Sequence, residues 1–422
     1  MKKLFLSSIL FSSIFLFSHS FAQQNADSLA FMKRAYEKQQ HYFDSVQKIK
    51  GEAKLVELFN QQPDSVFKIE LNACGLTEIP DFQAYYNVKI IYLNNNKLKK
   101  IRKKDWPDSD SLQTIDLSGN QFGRIRFGKN SHIKHLNLSE NQLKRVPRSI
   151  RKLKDLESLN LNKNKIKRIP CFIKRMKSLS DLNLNYNQLK KLSKCDIRKL
   201  KHIKNIHIGG NSLSKLPENI DDLEEVRTLN FGINNLSSLP MSFARLDSLE
   251  HLIFYRNNFD SIPAVIWELK SLKEMDFYHN QIKEIPEEIG RLKHLEQIFL
   301  AYNQISNIPD TLLSLKHLKA LYLHHNDIVI IPLWVADLSE LKYLDFGFNK
   351  IYELPDLGSM TNLEEIDLQG NQLSEFPFEL LENKNLQKIF LMGNPFVMTK
   401  EELEDMEKIR EQLQEMGIRV FF

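Results

Sequence analysis

Residues 295–305 read LEQIFLAYNQI, and this stretch decides the fold of the whole chain. Apolar residues stand at its first, fourth, sixth and eleventh positions and an asparagine at the ninth, which gives the frame L-x-x-L-x-L-x-x-N-x-L. The alternation around Ile298 and Leu300 predicts a short strand with one buried face. An asparagine in the same frame recurs every 21 to 24 residues along most of the chain. These asparagines are Asn96, Asn120, Asn141, Asn164, Asn187, Asn211, Asn234, Asn257, Asn280, Asn303, Asn326, Asn349, Asn371 and Asn394.

This period and residue pattern are the signature of a leucine-rich repeat solenoid. Cys74 stands 22 residues before Asn96 in the same frame, so we predict about fifteen repeats. A single coil exposes an apolar face, and stacking against its neighbours buries that face. Stacked asparagine amides can satisfy backbone groups that would otherwise be buried without partners. We therefore predict an α/β solenoid, a curved horseshoe with a parallel sheet on its concave side.

The outer part of each coil often reads I/L-P-x-x-I-x-x-L, as in IPEEIGRL at residues 285–292. The repeats from Ile69 to Asn394 resemble the typical 23-residue leucine-rich repeats of Shoc-2-like Ras-scaffold proteins and plant disease-resistance proteins. The resemblance implies the fold and says little about function, because the same coil serves many partners. Those relatives are mostly cytoplasmic signalling proteins, whereas the N-terminus of this chain predicts an exported protein of bacterial type.

The N-terminus has the features of a secretory signal peptide. Lys2 and Lys3 precede an apolar run at residues 4–17, and a small-x-small cleavage site at residues 20–22 precedes Gln23. A membrane anchor is the competing interpretation. The short apolar run and the lack of a basic cluster after it favour cleavage. We predict a periplasmic or extracellular protein with no transmembrane segment in the mature chain.

Four segments follow from these patterns. Residues 1–22 are the signal peptide, 23–65 a helical N-terminal cap, 66–396 the solenoid, and 397–422 a C-terminal cap of one helix and one strand. Polar caps are expected because the ends of a solenoid have no neighbouring coil to cover them.

The sequence shows no motif of catalysis, cofactor binding or metal binding. It has no glycine-rich phosphate loop, no nucleophile elbow and no zinc-type spacing of cysteine or histidine. His279 and His325 share a column two coils apart, and about 10 Å between their backbones suits a zinc chelate poorly. We predict a protein that is not an enzyme and holds no cofactor or metal. Cys171 and Cys195 lie on the outer turns of adjacent repeats, and whether they form a disulfide is left open.

The predicted concave face changes character halfway along the chain. Its residues are short and polar in the first half, but from about Asn257 onward they are mostly aromatic. Tyrosine, arginine and other aromatic residues dominate binding hot spots, so we predict a protein or peptide ligand here. Stacking of these residues on one another is the alternative. The predicted concave patch consists of Ile253, Tyr255, Arg256, Tyr278, His279, Phe299, Tyr302, Tyr322, His324, His325, Tyr343 and Phe348.

Charge is distributed unevenly. Between Lys97 and Lys204 there are 30 Lys and Arg against 9 Asp and Glu, although the whole chain carries only +6. An acidic glycan or a lipid headgroup is the alternative ligand, bound by a basic flank three and four residues after the asparagines. No base-stacking aromatics interleave with it, so we predict no nucleic acid partner. The basic flank consists of Lys99, Lys100, Arg124, Lys144, Arg145, Lys167, Arg168, Lys190 and Lys191.

Overall fold

The computed structural model describes residues 26–102, 105–107, 109–127, 132–193, 197, 200–383, 385–397, 399 and 419–421. The predicted signal peptide and the helix predicted within residues 397–422 lie outside the described residues. Across the described part of the chain, no helix has the length and apolar character needed to cross a membrane.

A parallel sheet of 16 strands runs through the described residues, with neighbours in chain order paired throughout. The main-sheet strands are β1 (Lys68–Glu70), β2 (Ile90–Tyr92), β4 (Thr114–Asp116), β6 (His135–Asn137), β7 (Ser158–Asn160), β8 (Asp181–Asn183), β9 (Asn205–His207), β10 (Thr228–Asn230), β11 (His251–Ile253), β12 (Glu274–Asp276), β13 (Gln297–Phe299), β14 (Ala320–Tyr322), β15 (Tyr343–Asp345), β16 (Glu365–Asp367), β17 (Lys388–Phe390) and β18 (Arg419–Phe421). The short strands β3 (Lys100–Ile101) and β5 (Arg124–Ile125) form a second sheet. The predicted parallel-sheet solenoid is confirmed by this topology.

The outer side of the coils is built from single turns of 3₁₀ helix. A proline commonly stands just before the turn, where its fixed φ and missing N–H fit the start of a helix. These turns span Pro63–Ser65, Arg148–Lys152, Ile173–Arg175, Ile220–Asp222, Met241–Arg245, Ala264–Glu268, Glu287–Arg291, Asp310–Ser314, Leu333–Asp337 and Phe378–Glu382. Successive 3₁₀ turns are spaced more widely along the solenoid axis than successive strands, so the stack bends and the sheet lies on the concave side.

One long helix, α1 (Ala26–Phe59), covers the first coil. Leu58 is buried in the core, and the Tyr85 hydroxyl donates to the Leu58 carbonyl at 3.3 Å. A Cβ on Gly51 would lie 2.1 Å from the carbonyl oxygen of Cys74, so the helix can approach this closely only through glycine. The end of the hydrophobic core is thereby shielded from water.

The recurring asparagines form the predicted ladder, and each joins its own coil to the one before it. Asn280 accepts a hydrogen bond from the Phe259 amide at 3.1 Å and donates to the carbonyls of Phe254 and Phe277. Cys74 holds this position in the first coil, where no earlier coil offers backbone groups to bind. An asparagine there would lack the partners that make it necessary elsewhere, which explains the replacement.

The interior is a stack of aliphatic and phenylalanine rows. Phe254 lies between Phe231 and Phe277, with ring centroids 5.9 and 5.4 Å away, as expected for inward positions of neighbouring strands. Cys171 is disulfide-bonded and Cys74 is a free, buried thiol; Cys195 lies outside the described residues.

Candidate functional site

The residue just before each ladder asparagine has a left-handed backbone, with φ between 51° and 58° at five consecutive coils. This conformation costs a residue other than glycine roughly 1–2 kcal/mol. Gly119, Gly210 and Gly370 occupy the same position in other coils, which shows that glycine suits the turn. Strained positions that retain large side chains are a reason to look for function. Earlier coils have Asn95, Glu140, Lys163, Tyr186 and Ile233 at this position, and the five consecutive later coils have Arg256, His279, Tyr302, His325 and Phe348.

Four of these side chains stack into one aromatic ladder along the concave rim. His279 and Tyr302 are 5.5 Å apart between ring centroids, Tyr302 and His325 4.0 Å, and His325 and Phe348 4.4 Å. The Phe348 ring then lies over Gly370, where a Cβ would come within 2.6 Å of it. Tyr302 and Phe348 remain 36% and 47% exposed in spite of the stacking. Stacking holds the rings in place and leaves their outer edges in water.

A second layer supports this ladder from the adjacent position of the turn. The Tyr278 ring meets Tyr302 edge-on at 5.2 Å and lies 6.0 Å from His324. His324 is fixed from below, because its Nδ1 is 2.7 Å from Oδ2 of Asp345. Burial, followed by the neighbouring His324, lowers the pKa of His325, so its imidazole favours the neutral form. These contacts hold the Tyr278 and His324 rings in fixed positions against the ladder.

The floor beside the ladder is formed by Phe299 and Tyr322. They lie opposite each other in the paired strands β13 and β14, and their rings stack at 4.8 Å with an interplanar angle of 6°. Burial raises the pKa of Tyr322, so its hydroxyl stays protonated and able to donate. The ladder, the second layer and the floor together contain eight of the predicted patch residues. These are Tyr278, His279, Phe299, Tyr302, Tyr322, His324, His325 and Phe348.

Other predicted members lie apart from this surface. The ring of Tyr255 packs on Gly232, and its hydroxyl bonds to Tyr186. Burial, followed by that hydrogen bond, raises the pKa of Tyr255 to about 12. Tyr343 lies at the start of its strand, where its hydroxyl donates to Glu364 at 3.3 Å.

Ile253 lies in β11 and is half-buried, whereas Arg256 is exposed. Neither makes an aromatic stack, so both belong to the margin of the surface.

The predicted patch does not include the carboxylates of Asp276, Asp345 and Asp367, which share the strand position of Phe299 and Tyr322. Asp276 lies between Ile253 of β11 and Phe299 of β13, and its Oδ1 accepts from the Tyr278 amide at 2.8 Å. Burial raises its pKa to about 6. Burial raises the pKa of Asp367 to about 6 as well. The prediction could have included Asp276, because the residues at its strand position on the neighbouring coils, Ile253 and Phe299, are apolar and offer it no partner.

A row of ion pairs borders the sheet on its other side. Glu250 lies between Arg227 and Lys273, at 3.2 and 2.9 Å, and Glu296 pairs with Lys319 at 2.7 Å. The Lys273 hydrogen bond holds the pKa of Glu250 below its usual value. The glutamates of this row already have cationic partners, in contrast to Asp276.

The basic flank lies along the turn after the sheet. Lys100 and Arg124 are paired residues of β3 and β5 and therefore lie side by side. All nine flank residues are exposed, and none has an acidic group of the described residues within 4.0 Å. Their charges are thus not neutralised from within the described structure.

The histidines do not converge as metal ligands would. The Tyr302 ring lies between His279 and His325 and stacks on both. Within the described residues, no group of three or more His, Cys, Asp or Glu is placed to hold a metal ion.

Family models match most of the repeat region. A leucine-rich repeat model matches residues 65–122, 125–166, 270–328 and 295–351. A leucine-rich repeat region model matches residues 179–284, and a model of two leucine-rich repeat copies matches residues 339–379. The chain is a leucine-rich repeat protein. The more specific resemblance to Shoc-2-like proteins stays a prediction.

Solved structures with the same fold support this assignment. A leucine-rich repeat protein of Leptospira interrogans has a TM-score of 0.75 and 29% identity, covering 86% of this chain and 97% of that one. The complex of PEPR1 with AtPEP1 has a TM-score of 0.56 and 23% identity, covering 75% of this chain and 50% of that one. At 23% identity, the likeness to the PEPR1 complex shows the fold alone.

Among curated relatives, mimecan of Mus musculus is 35% identical over 86 residues. The match covers 20% of this leucine-rich repeat protein and 27% of mimecan, so the chain spans about a quarter of that relative's length.

Proposed function

We propose that this leucine-rich repeat protein is an exported, non-enzymatic module that binds a protein or peptide on the concave face of its C-terminal half. The observation that carries the proposal is the aromatic ladder of His279, Tyr302, His325 and Phe348. Large rings occupy four consecutive strained turns at which glycine is conformationally favoured. Partly exposed, fixed aromatic side chains bind with little loss of rotamer entropy, as binding hot spots do.

Export is supported by the sequence of residues 1–22 and by the disulfide on Cys171. Disulfides persist in oxidising compartments such as the periplasm and the extracellular space.

The concave proposal is tested by capture from the envelope fraction of the source organism. The tagged mature chain is compared with Tyr278→Ala/Tyr322→Ala and with the control Tyr352→Ala, which removes an aromatic ring 49% exposed outside the patch. We expect the partner captured by the wild type and by Tyr352→Ala to be lost from the double variant. Equal recovery on all three proteins contradicts the proposal.

A second candidate function is the binding of an acidic glycan or lipid headgroup by the basic flank. It is favoured by nine exposed cations without acidic partners among the described residues. Each anion that they neutralise adds a salt-dependent increment of affinity.

Charge reversal of Lys144, Arg145, Lys167 and Arg168 to Glu tests this candidate on immobilised heparin. The control is Lys215→Glu/Lys283→Glu, which reverses exposed lysines at the same positions of later repeats. We expect the flank variant to elute at much lower salt than the control. Elution of both at the wild-type salt concentration removes the candidate.

A further inference from the structure

The floor of the concave surface carries carboxylates at both ends of its aromatic section. From β12 to β16, the residues at one position of the strand are Asp276, Phe299, Tyr322, Asp345 and Asp367. Parallel register places them side by side along the axis of the solenoid. An acidic group thus precedes a stacked aromatic pair, and two acidic groups follow it.

Asp276 lacks a cationic partner within the described structure. Its Oδ1 accepts from the Tyr278 amide, and no hydrogen bond or ion pair to a described residue engages Oδ2. Ile253 and Phe299 lie beside it on the neighbouring strands, and neither side chain offers a donor. A half-buried carboxylate of this kind is stabilised strongly by a cation that enters the same apolar site.

The two acids at the other end differ in their partners. Asp345 is paired with His324, at 2.7 Å. Asp367 receives hydrogen bonds from the amide and the side chain of Gln369, at 3.0 and 2.7 Å, and both donors are neutral. Negative charge therefore remains at Asp367 as well as at Asp276, with the aromatic floor between them.

The surroundings reinforce this charge. The whole chain has 59 Lys and Arg and 53 Asp and Glu, of which 29 and 44 lie outside Lys97–Lys204. Residues 205–422, which contain the concave patch, hold 19 Lys and Arg against 35 Asp and Glu, so this part of the chain is acidic and attracts cations over a longer range. The faces of Tyr278, Phe299 and Tyr322 suit the alkyl stems of basic side chains and can accept cation–π contacts.

We propose that the concave patch recognises an extended peptide segment with two basic side chains, one bound at Asp276 and one at Asp367, and with apolar residues between them on the Phe299–Tyr322 floor. This inference rests on the proposed function and specifies its ligand. Four strand spacings separate the two aspartates, about 19 Å, and an extended chain rises about 3.3 Å per residue. The two basic residues should therefore be about six positions apart.

The chain itself offers a replacement that removes charge and keeps the fold. Asn230 occupies the same strand position as Asp276 two coils earlier, and its Oδ1 accepts from the Gly232 amide at 3.0 Å. Asn137 accepts in the same way from the Ser139 amide. Asp276→Asn and Asp367→Asn thus retain the local turn. Asp116→Asn is the matched control, since Asp116 has the same role in an early coil.

The probe is a random twelve-residue peptide library displayed on phage and selected on the wild-type protein. We expect the selected peptides to contain two Arg or Lys about six residues apart. Asp276→Asn and Asp367→Asn should each lower the affinity for the synthetic peptides about tenfold, because each removes one charge-assisted contact. Asp116→Asn should leave affinity unchanged, and citrulline in place of either arginine should reproduce the loss.

The outcomes separate this inference from the proposed function. Selected peptides that bind Tyr278→Ala/Tyr322→Ala more weakly than the wild type support the concave site. If these peptides lack basic residues, or bind Asp276→Asn and Asp367→Asn as tightly as they bind the wild type, the inference is overturned and the proposed concave site is retained. Peptides that bind all of these variants as they bind the wild type contradict both.

Discussion

The asparagine ladder gives a sharp test of the physical basis of the fold through Asn257→Ala. Asn257 is buried, its Oδ1 accepts from the Leu236 amide at 2.9 Å, and its Nδ2 donates to the carbonyls of Phe231 and Phe254 at 3.0 Å. The alanine variant leaves the Leu236 amide buried without an acceptor. The two carbonyls keep second donors, because Asn234 still bonds Phe231 and Asn280 still bonds Phe254.

The expected cost follows from these partners. One orphaned amide costs about 1–3 kcal/mol, and each lost bond to a carbonyl that keeps another donor costs about 0.5–1.5 kcal/mol. We therefore expect Asn257→Ala to lower the free energy of unfolding by about 2–6 kcal/mol.

Asn258→Ala is the control, since Asn258 is the next residue, is exposed, and makes no side-chain hydrogen bond to a described residue. Its effect should stay within about 0.5 kcal/mol. Urea unfolding followed by circular dichroism measures both variants. Hydrogen exchange at the Leu236 amide locates the damage, which matters because long repeat arrays can unfold in parts. A loss for Asn257→Ala no larger than that for Asn258→Ala, with Leu236 still protected, would refute the reasoning.

Further predictions concern the patch, the signal peptide and the cysteines. Tyr302→Ala should lower stability by about 2 kcal/mol, because the partly exposed ring loses two stacked and two tilted or edge-on ring contacts, and thermal melting checks this. Asp276 has a pKa raised from 3.8 to about 6 in the folded chain, so the folded state holds this proton more tightly and stability falls as pH rises between these values. Asp276→Asn should therefore be more stable than the wild type by about 1–2 kcal/mol at pH 7 and equal to it at pH 3, and equal stabilities at both pH values would show that burial does not disfavour the carboxylate. In the exported protein, N-terminal sequencing should begin at Gln23, and iodoacetamide added under denaturing, non-reducing conditions should label Cys74 and spare Cys171; a labelled Cys171 would contradict the disulfide.

Much of the fold could be predicted because each sequence repeat forms one coil of the solenoid. Asn280 and Asn303 are 23 residues apart, and their amides make equivalent hydrogen bonds in successive coils. The phenylalanines at inward positions, such as Phe254 and Phe277, likewise pack against each other in successive coils. Such positions follow from the frame alone, because each is repeated in identical surroundings.

The concave surface was less predictable. Tyr255 and Tyr278 have equivalent positions in the frame, yet Tyr255 packs on Gly232 toward Tyr186, while Tyr278 packs against Tyr302. The direction of each ring depends on which neighbouring coil carries a glycine and which an aromatic residue. Counting positions from the ladder asparagine assigns these residues to the concave face, but it does not show which neighbouring residue each ring packs against.

The sequence by itself determined the coil, its frame and the parallel order of its strands, since an apolar face repeated every 21 to 24 residues is buried only by stacking. Tertiary structure decided which concave side chains form one surface and how strongly Asp276 and Asp367 are desolvated. The reason is physical: the frame is local and repeats within each coil, whereas stacking, burial and pKa depend on residues one or more coils away that pack against it.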